Sequence, residues 1–215
     1  MPSKYVVREF TKDGIYHVFN RGVDRRLIFQ DEQDYNLFYY YLYIYVTPLE
    51  KVLRRYHNLP IRLFNKNLSK EIDLLSFCLM PNHFHLLIKQ KTEKDLAQFM
   101  KQLTNAYTQY FNEKYKRQGS LFEGRYKAVR IPTDELLIHT SRYIHLNPVV
   151  ANLSLEPDQY QWSSYKEYID ESSMNLCNTK PVLDLFASVY AFKRFHNDQK
   201  DYAKKLREIK HLLIE

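Results

Sequence analysis

Two histidines one residue apart, His83 and His85, lie in the stretch Met80-Pro81-Asn82-His83-Phe84-His85-Leu86-Leu87. On a β-strand successive side chains face opposite sides, so both imidazoles share one face while Phe84 and Leu86 take the other. Two imidazoles side by side can reach one divalent metal ion. They can equally be two histidines on a half-exposed strand, because His-x-His alone specifies no third ligand. The helix expected to end at Asn147 offers what such a metal needs. Tyr143 and Asn147 are four residues apart and so lie on one helix face. Asn147 has an amide oxygen for a hard cation. Tyr143 has a phenolic oxygen, a nucleophile once its proton is removed or its charge stabilised. A tyrosine attacking a DNA phosphodiester in this way becomes linked to a 5′-phosphate and releases a 3′-hydroxyl, with the metal polarising the scissile phosphate.

Several elements must position these residues. Ile15 to Asn20 is β-branched and aromatic and reads as the first strand. Gly22 then lets the chain turn while Arg21, Arg25 and Arg26 project. Asp31 caps a helix that carries Leu37, Phe38, Tyr41, Leu42 and Tyr45 to about Val46. A short helix follows over residues 49–57, and residues 58–72 read as a loop. Leu74 to Met80 and His83 to Lys89 read as strands joined by Pro81-Asn82, too close for anything but an antiparallel hairpin. Thr92 to Asp95 starts a helix with one apolar stripe from Leu96 to Phe111. Leu121 to Ile131 reads as a fourth strand. Pro132 to Glu135 opens the helix that runs to Asn147 and stops at Pro148. The order βαββαβ, then a helix, implies an α+β, ferredoxin-like fold: an antiparallel sheet with two helices on one face. Residues 1–14 form a lead-in, 15–168 the catalytic domain and 169–215 a helical C-terminal extension. The extension carries the aliphatic and basic stretch with Lys200, Lys204, Lys205 and Arg207.

Composition narrows the class. The 215 residues are 45% hydrophobic, enough for one substantial core, and include 19 Tyr and 13 Phe. Tyrosine stacks on nucleobases but also fills cores. The formal net charge is +7 and the pI about 9.2, which favours a polyanionic partner such as nucleic acid. Cys78 and Cys177 are the only cysteines, which excludes a disulfide framework and a Cys-x-x-Cys zinc site. Cys78 reads as a buried core residue. No apolar signal core or membrane-length apolar run is present, so no membrane partner and a cytoplasmic location are expected.

Three motifs now combine: Met80 to Leu87, Phe122-Glu123-Gly124-Arg125-Tyr126-Lys127, and Tyr143-Ile144-His145-Leu146-Asn147-Pro148-Val149. Together they resemble the single-tyrosine HUH transposases (IS200-like), nearest the REP-associated tyrosine transposases, over roughly residues 14–168. The resemblance implies that His83 and His85 bind Mg²⁺ or Mn²⁺, that Tyr143 is the nucleophile and that Asn147 completes the metal site. It also implies a substrate of single-stranded DNA that forms hairpins. Insertion-sequence members are dimers that share tyrosine helices, whereas REP-associated members can act as monomers, so a homodimer is one expectation. Tyr107, Tyr110, Tyr115 and Tyr126 are rival tyrosines, with Tyr115 foremost in a basic loop. Glu123 is a spare ligand. His145 points across the helix from Tyr143, and His17, on the first strand, could face the site but reads rather as a satisfied surface histidine. Arg21, Arg25, Arg26, Lys114, Lys116, Arg117, Arg125, Lys127 and Arg130 are candidate DNA contacts, each otherwise a solvated charge. Two other functions remain open at this stage. One is a domesticated nucleic-acid-binding regulator without cleavage; the other is a metal-dependent nuclease that uses water.

Overall fold

The computed structural model describes residues 9–171 and 175–198. In chain order the elements are β1 (Ile15–Arg21), α1 (Glu32–Val46), α2 (Leu49–Arg55), α3 (Ile61–Phe64), β2 (Ile72–Met80), β3 (His83–Gln90), α4 (Asp95–Lys114), β4 (Lys127–Arg130), α5 (Asp134–Val150), α6 (Tyr165–Tyr168) and α7 (Lys180–Leu183). A further helix, α8, occupies residues 189–198. The four strands form one antiparallel sheet in the order β2-β3-β1-β4. This is the expected ferredoxin-like α+β arrangement.

Alternation along the strands divides the core in two. Tyr16 and Val18 of β1 and Phe84, Leu86 and Ile88 of β3 face α1 and α4, where they meet Phe38, Leu42, Phe99, Leu103 and Tyr107. The other face of the sheet is covered by α5 and the C-terminal helices. There Leu75, Cys78, Met80 and Leu87 pack with Leu137, Ile144, Tyr165, Tyr168 and Phe192. The two helices of the βαββαβ unit therefore share one face, as expected, and α5 lies on the opposite one. Cys78 is fully buried in this second layer.

Local chemistry explains the element ends. The Asp31 carboxylate accepts from the Asp34 amide at 3.1 Å and caps α1. Asp95 accepts from the Thr92 amide and hydroxyl, both at 2.6 Å, where α4 begins. Thr133 Oγ1 accepts from the Leu136 amide at 3.2 Å and caps α5.

Three boundaries differ from the sequence reading. The fourth strand is only Lys127–Arg130, because Gly124 takes φ +66° and residues 121–126 form a loop whose Leu121 and Phe122 plug the core. Helix α5 passes through Pro148 to Val150. A proline near a helix C-terminus forfeits only its own bond, here to the Ile144 carbonyl, and the Ala151 amide still reaches the Asn147 carbonyl at 2.9 Å. The loop expected over 58–72 contains α3, which opens after Pro60. Gly22 has an ordinary φ of −64°; its role is close approach, since a Cβ there would strike the Arg26 carbonyl oxygen. The basic residues Lys200, Lys204, Lys205 and Arg207 lie outside the described residues. Among the described residues no helix is long and apolar enough to cross a membrane.

Candidate active site

Strand parity puts His17, Phe19 and Arg21 of β1 on the same face as His83 and His85 of β3, and pairing brings them into register. Phe19 lies opposite His85 and Arg21 opposite His83. Lys127 of β4 lies opposite Phe19 on its other side. Helix α5 crosses this face and lowers Tyr143 onto it. The result is an open cleft of about 340 Å³ lined by Phe19, Asn20, Arg21, Arg25, Asn82, His83, His85, Glu123, Lys127 and Tyr143.

Hydrogen bonds at Nδ1 orient both imidazoles. The His83 and His85 rings are 5.0 Å apart. His83 Nδ1 is 2.6 Å from the Asn82 side-chain oxygen, and the Asn82 amide nitrogen donates to the Arg25 carbonyl at 3.3 Å. With that oxygen as acceptor, the proton of neutral His83 sits on Nδ1 and Nε2 carries the lone pair. His85 Nδ1 is 2.9 Å from His17 Nε2, while His85 Nε2 is buried with no partner. If His85 Nδ1 donates to His17, then His85 Nε2 also carries a free lone pair. A buried polar atom without a partner costs free energy, about 1–3 kcal/mol, unless something binds it. Two Nε2 lone pairs on rings set at 90° to one another, each ring hydrogen-bonded at Nδ1, are two of the donors that a histidine-bound metal needs, with their outer shell. The residues present therefore fit a divalent cation.

Electrostatics keep the set ready for a ligand. Burial lowers His83 to about 4, helped by the nearby Arg21 charge. Burial alone lowers His17 to about 4. Burial, then His17 and His83, hold His85 well below its ordinary value. All three are neutral at pH 7, the state that coordinates metal. Arg21 makes an ion pair with Glu123 through Nε, and its second nitrogen donates to Glu123 Oε1 at 3.1 Å. That pairing holds the Glu123 carboxyl below its usual range.

Tyr143 is 54% exposed, with its ring 5.4 Å from His85 and 5.8 Å from His17, edge-on to both. Its helix is fixed from behind. Arg142 donates to the Phe195 carbonyl at 3.0 Å and lies 3.8 Å over the Phe195 ring. His145 lies fully buried, with Nδ1 3.2 Å from His196 Nε2 and Nε2 2.9 Å from the Ser164 hydroxyl. His196 Nδ1 reaches the Phe192 carbonyl at 2.9 Å. These bonds pin α5 between α8 and the loop before α6, leaving Tyr143 on the free side. His145 thus points away from the cleft, as its position two residues from Tyr143 implied.

Asn147 is not part of the cleft lining. Its amide nitrogen donates to the Tyr143 carbonyl at 2.9 Å along the helix. Glu123, the spare ligand, does line the cleft. Among the described residues no three His, Cys, Asp or Glu side chains are grouped to hold a metal ion. His17 takes the less favoured of the two places the sequence left open for it: it faces the site and bonds His85, a partnership the sequence reading missed. Asn82 was also missed as a partner of His83. Neither was recoverable without the β1–β3 pairing and the hairpin geometry.

The rival tyrosines have other work. Tyr107 is buried and its hydroxyl donates to the Ile28 carbonyl. Tyr110 and Tyr115 donate to the Asp34 carboxylate at 2.9 and 2.8 Å. Tyr126 lines a different cleft.

The candidate DNA contacts divide likewise. Arg21, Arg25 and Lys127 line the site. Lys114 does not: it is ion-paired to Asp31 at 2.7 Å and to fully buried Asp34 at 2.8 Å, tying α4 to α1. Arg26 donates to the Val23 carbonyl at 3.0 Å, and Arg117 donates to Asn112 at 2.9 Å and packs over Phe111. Lys116 is exposed beside them. Arg125 borders the Tyr126 cleft. Arg130 pairs with Tyr16, so it lies on the opposite face of the sheet at the strand end remote from Lys127.

The sequence model of the family described as "Transposase IS200 like" matches residues 50–147, which span the His83–His85 hairpin and reach through Tyr143 to Asn147. A solved structure titled "Structure of the REP associates tyrosine transposase bound to a REP hairpin" superposes with a TM-score of 0.51 at 15% identity. The superposition covers 78% of this chain and 86% of that one, and at that identity it speaks to the fold. No curated protein sequence matches this chain.

Proposed function

We infer that this chain is an IS200-like transposase, which the family-model match over residues 50–147 supports, and that it cleaves and rejoins single-stranded DNA through a covalent bond from Tyr143 to a 5′-phosphate. The observation that carries this reading is the exposed Tyr143 phenol set edge-on to His85, in one cleft with His83 and three cations. Hairpin-forming DNA is the proposed substrate; the superposed transposase is titled as bound to a REP hairpin.

Each residue has a stated part. Arg21, Arg25 and Lys127 bind backbone phosphates and set the strand's register. Tyr143 loses its proton to solvent, to which it is open, and its oxygen attacks the scissile phosphorus. The bond from phosphorus to the 3′-oxygen of the preceding nucleotide breaks, and that oxygen takes a proton from solvent to leave as a 3′-hydroxyl. The phosphotyrosine preserves the phosphodiester energy, so a 3′-hydroxyl can attack it, restore the DNA strand and release Tyr143. His83 and His85 would hold Mg²⁺ or Mn²⁺ through Nε2, and such an ion supplies Lewis acidity at the scissile phosphate. His17 and Asn82 hold the two rings in the coordinating tautomer. Glu123 is placed to add a carboxylate oxygen if it releases Arg21. Asn147 can add its amide oxygen only by turning the side chain from the Tyr143 carbonyl. Tyr143 meets His85 of its own chain, an arrangement that requires no tyrosine from a second subunit, and a monomer by light scattering is the expected active species.

The test uses a pool of end-labelled hairpin oligonucleotides with Mn²⁺ or EDTA. A metal-dependent protein–DNA band that is lost in Tyr143→Phe supports the reading. Metal-dependent cleavage without such a band selects a water-using nuclease, and tight binding without cleavage selects a regulator.

A further inference from the structure

A second cleft, of about 540 Å³, opens on the other side of the sheet between α4 and the loop of residues 120–126. It is not part of the site described above, but it adjoins it. Asn20 lines both, with its amide donating to the Gly124 carbonyl at 3.2 Å. The same loop gives Glu123 to the catalytic cleft, and Gly124, Arg125 and Tyr126 to this one. Gly124, at φ +66° with open space where a Cβ would be, leaves the loop crest uncovered between the two.

The lining is chemically selective. Its only charged side chains are Lys101 and Arg125, with no carboxylate among them. The Thr104 and Ser120 hydroxyls donate to the Met100 and Phe122 carbonyls at 2.7 and 2.6 Å, which leaves their oxygens as acceptors, and Asn105 adds an amide. Tyr126 supplies a ring on which the Arg125 guanidinium lies at 5.3 Å, and its phenol oxygen is buried without a partner. Cations, an aromatic face, an amide and hydroxyl acceptors together suit one unit of single-stranded nucleic acid. The volume falls within the range of small-ligand sites, roughly 300–1,000 Å³.

The geometry points to the α4–Tyr126 cleft as a second binding site for single-stranded DNA, holding a nucleotide of the strand whose phosphate faces Tyr143. Its phosphate pairs with Lys101 and Arg125, and its base lies against Tyr126. This rests on the transposase reading, and it adds a specificity-determining contact remote from the reacting phosphate.

The experiment is photo-crosslinking of 4-thiothymidine-substituted single-stranded oligonucleotides to the full chain, with peptide mapping and with the Tyr143 adduct followed in the same samples. The expected result is a crosslink on Tyr126 or on the α4 segment from Lys101 to Thr108. In parallel, Lys101→Ala, an exposed position, lowers the slope of log affinity against log salt by about 0.7, the loss of one single-strand phosphate contact. Adduct formation with crosslinks confined to the Tyr143 cleft, and an unchanged salt slope, overturns this inference while leaving the transposase reading intact. Absence of both adduct and crosslink overturns both.

Discussion

Acid should unfold this protein unusually early, and the structure sets the size of the effect. Five of its eight histidines, His17, His83, His85, His145 and His196, are held neutral by burial. Burial lowers His17 and His83 to about 4 and His196 to about 3, and holds His85 and His145 well below normal. In the unfolded chain each titrates near its ordinary value of about 6.5. The folded values are depressed, so the unfolded state binds more protons. Stability is then full above about pH 6.5 and falls as the pH drops toward the folded values. Between about pH 7.5 and 5.5 each histidine costs about 1.4 kcal/mol, so five cost about 7 kcal/mol. That rivals the whole stability of a typical domain, about 5–15 kcal/mol. Urea titrations followed by tryptophan fluorescence and circular dichroism at these two pH values measure it. His196→Gln should remove about one-fifth of the dependence. A stability that changes by less than about 2 kcal/mol over this window would refute the claim that these five rings are buried and neutral.

Three other outcomes follow from the same contacts. Adding Mn²⁺ in the absence of DNA should raise the unfolding temperature of the wild type, with about 2.7 kcal/mol of stabilisation at a hundredfold excess over Kd. The shift should vanish in His83→Ala and with EDTA, and a shift retained in that variant would move the metal elsewhere. Asp34→Ala leaves Lys114 without its buried partner and strips acceptors from Tyr110 and Tyr115, so denaturant unfolding should show a loss of about 3–5 kcal/mol. Arg25→Ala should lower the salt slope of single-strand binding by about 0.7, whereas Lys114→Ala should leave the slope unchanged.

Much of the site could be read from local spacing. His83-x-His85 on a strand and Tyr143 on the helix after the fourth strand required only periodicities of two and 3.6, and the structure brings them together. Residues whose roles depend on pairing could not be read in this way. His17 is 68 positions from His85, and only the β1–β3 register shows that the two rings meet. Lys114 looked like part of a basic loop because its partners, Asp31 and Asp34, lie on α1, about eighty residues earlier. Arg130 is three residues from Lys127 and so takes the opposite face of any strand that holds both; only the pairing of β4 with β1 shows that Lys127 has the site's face. The helix end at Pro148 was misplaced because the proline rule concerns a single hydrogen bond, which the final turn of α5 does without.

The most direct measurement is the identity of the residue that carries the DNA. A covalent complex formed with hairpin DNA and Mn²⁺, trimmed by nuclease and mapped by peptide mass spectrometry, should carry its nucleotide 5′-phosphate on Tyr143, in the peptide that begins just after Arg142. A phosphonucleotide on any other tyrosine, or cleaved DNA with no modified peptide, would contradict the account.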